Sequence, residues 1–128
     1  MNKKNMWGNF KDFKTISTPK KYLEEQAKKL YKATNYILEA KVSTKSGQTF
    51  RELAYSLDIV APVINHYKKE IIKIQHNLAP YPLFVTDYVN DKEYECADES
   101  NFLEILETIL SSPKMRKLIE SLITHSQE

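Results

Sequence analysis

Apolar residues recur along this chain at two different spacings, and each change of spacing marks the start of a new element. Thr18-Pro19-Lys20-Lys21 predicts a helix start. Thr18 can accept from a free backbone N–H, and Pro19 suits a first position whose N–H has no partner in any case. Leu23, Ala27, Leu30, Tyr31 and Thr34 then fall at intervals of three and four, which gives the helix one apolar stripe. Glu24 and Glu25 stand four residues before Lys28 and Lys29, the favourable order for ion pairs along a helix. Asn35 is the expected stop.

The period then drops to two. Tyr36, Leu38, Ala40 and Val42 alternate with Ile37, Glu39, Lys41 and Ser43. After a turn at Lys45-Ser46-Gly47-Gln48, Leu53, Tyr55, Leu57 and Ile59 alternate with Glu52, Ala54, Ser56 and Asp58, so a β-hairpin is expected. Residues 61–78 carry both periods. Ile64, Tyr67, Ile71, Ile74 and Leu78 have helical spacing, while the crowd of isoleucines at 71–74 and the lack of a capping side chain near Pro62 favour strand. The strand reading is taken, with Ile64-Asn65-His66-Tyr67 as the turn before it.

Ala79-Pro80-Tyr81-Pro82 excludes a helix interior. Leu83–Val89 reads as a strand, Asn90-Asp91 as a tight turn and Glu93–Cys96 as the return strand. Asp98 or Ser100 then caps a helix bearing Phe102, Leu103, Ile105, Leu106, Ile109 and Leu110. Ser112-Pro113 opens a last helix with Met115, Leu118, Ile119, Leu122 and Ile123 on one stripe. Strands grouped between helices predict an α+β fold: an N-terminal helix, an antiparallel meander of about four to five strands, and two C-terminal helices packed on one face. Residues 18–128 are expected to form a single domain. Residues 1–17 precede it as an arm whose Trp7, Phe10 and Phe13, spaced by three, are expected to line a short helical turn and dock on the core.

Composition narrows the function classes. The chain has 128 residues, 41% hydrophobic and 28% charged, with two glycines and one cysteine, which suits one globular domain rather than a disordered or collagen-like chain. No stretch reaches the roughly 20 apolar residues of a membrane span, and no apolar run follows the N-terminus as in a secretory signal. A cytoplasmic location without membrane contact is therefore expected, and the lone Cys96 excludes an internal disulfide. Heavy use of Lys, Asn, Ile and Tyr points to an AT-rich coding sequence, as in AT-rich bacteria and their phages. Charge is uneven: residues 1–46 hold 11 Lys against four acidic residues, whereas residues 91–128 hold four basic against nine acidic.

Candidate chemistry is sparse. With Gly8 and Gly47 the only glycines, the phosphate-binding loops that need close backbone approach are absent. His66, His76 and His125 lack metal-ligand spacing. A zinc site from His66, His76 and Cys96 would need the fold to assemble it, and solvated or singly bonded histidines are the ordinary alternative. Cys96 lies in Glu95-Cys96-Ala97-Asp98, where carboxylates raise a thiol pKa and blunt a nucleophile, so a structural role is expected. Asp87, Asp91, Glu93, Glu95, Asp98 and Glu99 cluster without the order of a calcium loop and suit a solvated hairpin. No cofactor and no catalytic constellation are expected.

Two binding readings remain. Eight tyrosines, several of them near turns or strand ends (Tyr36 and, as candidate protein-binding residues, Tyr67, Tyr81, Tyr88 and Tyr94), offer amphipathic surface, and the opposite charges of the two chain thirds permit a partner protein or self-association. Alternatively, Lys20, Lys21, Lys28, Lys29 and Lys32 supply the point charges of a sequence-blind nucleic-acid contact. The scarcity of Arg and the small net charge of +2 weigh against that second reading. The sequence thus favours a small, non-enzymatic binding protein acting through a sheet or helix surface.

Overall fold

The computed structural model describes residues 5–11, 16–45 and 51–128. The element order is α1 (Pro19–Ala33), β1 (Glu39–Lys45), β2 (Leu53–Ala61), β3 (Tyr67–His76), β4 (Leu83–Asp87), β5 (Lys92–Cys96), α2 (Glu99–Leu110) and α3 (Pro113–Ser126). Each helix begins where a side chain caps it. Thr18 accepts from Lys21 N–H at 3.2 Å, Asp98 from Asn101 N–H at 2.8 Å and Ser112 from Met115 N–H at 3.2 Å. The expected α+β architecture is present.

The five strands pair antiparallel in the order β1-β2-β3-β4-β5, each beside its sequence neighbour. Residues 61–78 resolve as the end of β2, a turn and β3. Asn65 and His66 turn the chain with positive φ of 49° and 55°, a region that short polar residues tolerate better than bulky ones. Leu57 pairs with Ile72 but Asp58 pairs with Glu70, so Ile71 is the extra residue of a β-bulge. The bulge places two successive isoleucines, 2% and 0% exposed, in the core.

All three helices cover one face of the sheet. Leu23 and Ala27 of α1, Phe102, Leu106 and Ile109 of α2, and Met115 and Leu122 of α3 join Leu57, Ile59, Ile72, Ile74, Leu83, Val85 and Cys96 in one cluster. The β4–β5 turn is tied to α3 by polar bonds. Asp87 accepts from Val89 and Asn90 N–H and from Asn90 Nδ2, which also reaches Ser112 Oγ at 3.1 Å. That network leaves Asp87 satisfied at 1% exposure.

Three local expectations fail. Among the arm residues described, Trp7 and Phe10 are 84% and 59% exposed rather than docked on the core; Trp7 lies in a turn and Phe10 in irregular chain, not in a helix. The Asn5 side chain accepts from Trp7 N–H and donates to the Gly8 carbonyl, holding a turn in which Gly8 takes φ 83°. Phe13 and the turn at 46–48 lie outside the described residues. Tyr31 stands at the border of the α1 stripe and stays 39% exposed. Among the described residues, Glu24 and Glu25 form no ion pair with Lys28 or Lys29, as solvated pairs at this spacing gain only a few tenths of a kcal/mol.

Candidate interaction surface beside α1

The residues that could carry chemistry do not converge. His66 sits exposed in the β2–β3 turn, whereas His76 is buried at the end of β3, with Nδ1 2.7 Å from the Asn77 carbonyl. Among the described residues, no three His, Cys, Asp or Glu side chains come together in a way that holds a metal ion. Cys96 is fully buried, and burial first, then Asp98, pushes its thiol pKa up to about 11. A thiol buried and held protonated in this way packs as part of the core.

The four tyrosines singled out from the sequence divide into two pairs. Tyr81 and Tyr94 pack against the core cluster. Burial, then the Glu99 charge, pushes the Tyr81 hydroxyl up to about 12. Tyr67 and Tyr88 are exposed, at 41% and 37%. Burial, then Glu70 and Glu93, raises Tyr88 as well. Of the five lysines, Lys20 lies 5.4 Å from the centre of the Tyr55 ring, a cation–π contact. Lys21, Lys28, Lys29 and Lys32 are exposed along α1, and among the described residues none of them is in an ion pair.

Depressions flank α1 on both sides. Towards α2 and α3 lies an apolar cleft of about 220 Å³ between Ala27, Leu30, Ala33, Leu110, Met115 and Ile119, floored by β-sheet core residues. It falls below the roughly 300–1,000 Å³ of ligand pockets, so it is a packing gap between helices. On the other side is a trough of about 500 Å³ lined by Glu24, Ala27, Lys28 and Tyr31 of α1 and Glu39, Ala40, Lys41 and Val42 of β1. Glu39 and Lys41 leave one face of the strand, and Ala40 and Val42 leave the other. A depression touching all four therefore runs along the strand's edge.

That edge is open. Among the described residues β1 pairs with β2 alone, so its outward backbone groups face the trough. At one end of the trough Tyr31 meets Tyr36 edge-on, ring centres 4.9 Å apart at 71°. Tyr36 is 62% exposed. It follows Asn35 in a left-handed backbone, with φ of 65° and 52° respectively, a conformation that costs a bulky residue roughly 1–2 kcal/mol. Tyr36 N–H donates to the Tyr31 carbonyl at 2.8 Å, and buried Thr34 Oγ1 accepts from Leu38 N–H at 3.1 Å, so the α1–β1 connection is held firmly in this shape. Tyr36 thus keeps a strained backbone at an exposed position beside the trough.

Sequence reasoning named Lys28 and noted Tyr36 near a turn. It placed Tyr31 in the core stripe and gave no sign that β1 would be an edge. No model of a known family, no curated protein and no solved structure matches this chain.

Proposed function

We propose that this protein acts by contact rather than catalysis, and that a partner protein docks in the trough between α1 and the free edge of β1. The observation that carries the reading is Tyr36. An exposed aromatic in a left-handed backbone sits where an open strand edge meets a helix wall. Tyrosine at such a place supplies apolar area and a hydroxyl at low entropic cost.

Replacing Tyr36 with Gly tests it. Relief of backbone strain offsets the lost ring contact and the added chain entropy, so stability changes by less than about 1 kcal/mol. Capture of a partner from a lysate of the native host, with nuclease present, should fall strongly. Undiminished capture by Tyr36→Gly and by Tyr31→Ala would remove the reading.

The exposed lysines of α1 favour a second reading, a nucleic-acid contact through Lys21, Lys28, Lys29 and Lys32, with Lys20 beside them. Heparin retention lost at moderate salt, abolished when Lys20, Lys21, Lys28 and Lys29 become Glu, and capture that nuclease eliminates would select it.

A further inference from the structure

We infer that two copies of this chain pair by exchanging N-terminal arms, with Trp7 of each copy seated in the apolar groove between α1 and the α2–α3 pair of the other. This groove lies across α1 from the trough, and the inference does not depend on what docks there.

Two apolar surfaces of one chain face water together. The first is the arm, where Met6, Trp7, Phe10 and Ile16 are 93%, 84%, 59% and 74% exposed. Isolated exposed apolar residues are ordinary, but four in one short segment form a patch of the kind that marks a contact. The Asn5 side chain holds the turn from both sides, 3.0 Å from Trp7 N–H and 2.9 Å from the Gly8 carbonyl. The second surface is the groove. The gap of about 220 Å³ beside Leu110 runs on to a depression of about 400 Å³ that reaches Leu103 of α2 and to one of about 330 Å³ that reaches Ile123 of α3. Leu110 lines all three. The charged residues along them cancel, Lys29 and Arg116 against Glu107 and Glu120, and Arg116 already faces Glu120 at 3.9 Å. An apolar occupant is therefore the one that gains by entering.

Size and supply identify that occupant. An apolar cavity of roughly 150 Å³ takes a benzene ring, so the central gap has room for one indole, with the depressions on either side left for Met6 and Phe10. Within one copy the Trp7 ring stays in water and the gap stays open, and among the described residues none of the arm lines it. A second copy supplies both missing halves. Each brings one arm and one groove, so exchange about a two-fold axis closes without leaving either surface bare. Trp7 and Phe10 of two arms hide on the order of 500 Å², and the walls they touch hide about as much, which together reach the ~1,000 Å² of a specific contact.

Trp7 is the only tryptophan in the chain, so its fluorescence reports the contact directly. As the full chain is concentrated from micromolar to millimolar, Trp7 emission should shift to the blue and acrylamide quenching should fall. Sedimentation equilibrium should show the mass doubling over the same range. Trp7→Ala should weaken the pairing at least about tenfold, while melting at micromolar concentration stays unchanged. Ala33→Arg, which puts a charged side chain on the groove wall at the exposed end of α1, should weaken it as much and leave Trp7 emission as in water. A mass that never doubles, or one that doubles as readily in Trp7→Ala, would overturn the inference. So would pairing that Ala33→Arg leaves intact. Blue-shifted, shielded emission at every concentration would also overturn it, by showing the arm folded into its own groove.

Discussion

The two faces of the sheet hide their residues by different means. On the helix-covered face, Leu57, Ile72, Ile74, Leu83 and Val85 are at most 2% exposed beneath three helices. On the other face, Ala54, Ser56 and Asp58 of β2 are 1%, 0% and 3% exposed, although the helices lie opposite. Long side chains on the flanking strands account for this shading. Lys41, Asp58 and Glu70 stand in one cross-strand row, and Ser43, Ser56, Lys73, Thr86 and Glu93 in the next. Ser43 and Ser56 share a hydrogen bond at 2.9 Å, and Lys68 comes within 3.4 Å of Asp58 Oδ2. Asp58 Oδ1 and Gln75 Oε1 have no hydrogen-bond partner among the described residues. Equal burial thus conceals unequal stabilisation: the first face gains from apolar transfer, and the second sets hydrogen bonds against desolvation.

The sharpest way to test that contrast is to empty one position on the covered face. Phe102 is fully buried and edge-on to Tyr22 at 6.4 Å, so Phe102→Ala should cost about 3–5 kcal/mol in chemical denaturation. Alkaline pH comes next. Cys96 and Tyr81 are protonated in the folded chain up to about pH 11 and 12, against ordinary values of 9 and 10. The unfolded chain therefore loses these protons first. Their contribution is complete below about pH 9 and is lost as pH climbs through 11 to 12. Cys96→Ala should flatten that decline, and a slope identical to wild type would refute the assignment.

Effects on the open face should be smaller. Ser56→Ala forfeits one shared hydroxyl bond, about 1 kcal/mol. Asp58→Asn removes a buried charge together with its loose ion pair, and the two nearly cancel, leaving less than about 1 kcal/mol. A loss of several kcal/mol at Asp58 would erase the distinction between the faces.

Much of the fold was readable because local and global signals agree. Thr18-Pro19, Asp98 and Ser112-Pro113 start helices where expected, and alternation at 53–59 assigns the right residues to each face. Alternation says which way a side chain points, however, and not what stands over it. The burial of Ser56 and Asp58 depends on neighbours from other strands, such as Ser43, Lys41 and Glu70, that lie far along the chain. The same limit hid the candidate surface. An edge strand is defined by the partner it lacks, and Tyr36 carries the alternation of a strand residue while its backbone is left-handed. Trp7 and Phe10 have the spacing of buried aromatics, but spacing alone creates no place for them to go.

The meander order has a kinetic consequence. Each strand meets the next in sequence, so the sheet needs no long loop closed before its first contacts form. Any of the four successive strand pairs can nucleate, and the terminal helices then seal one side. Chains with such local wiring fold within milliseconds or thereabouts, so a newly made copy would leave its half-built sheet exposed to wrong partners only briefly.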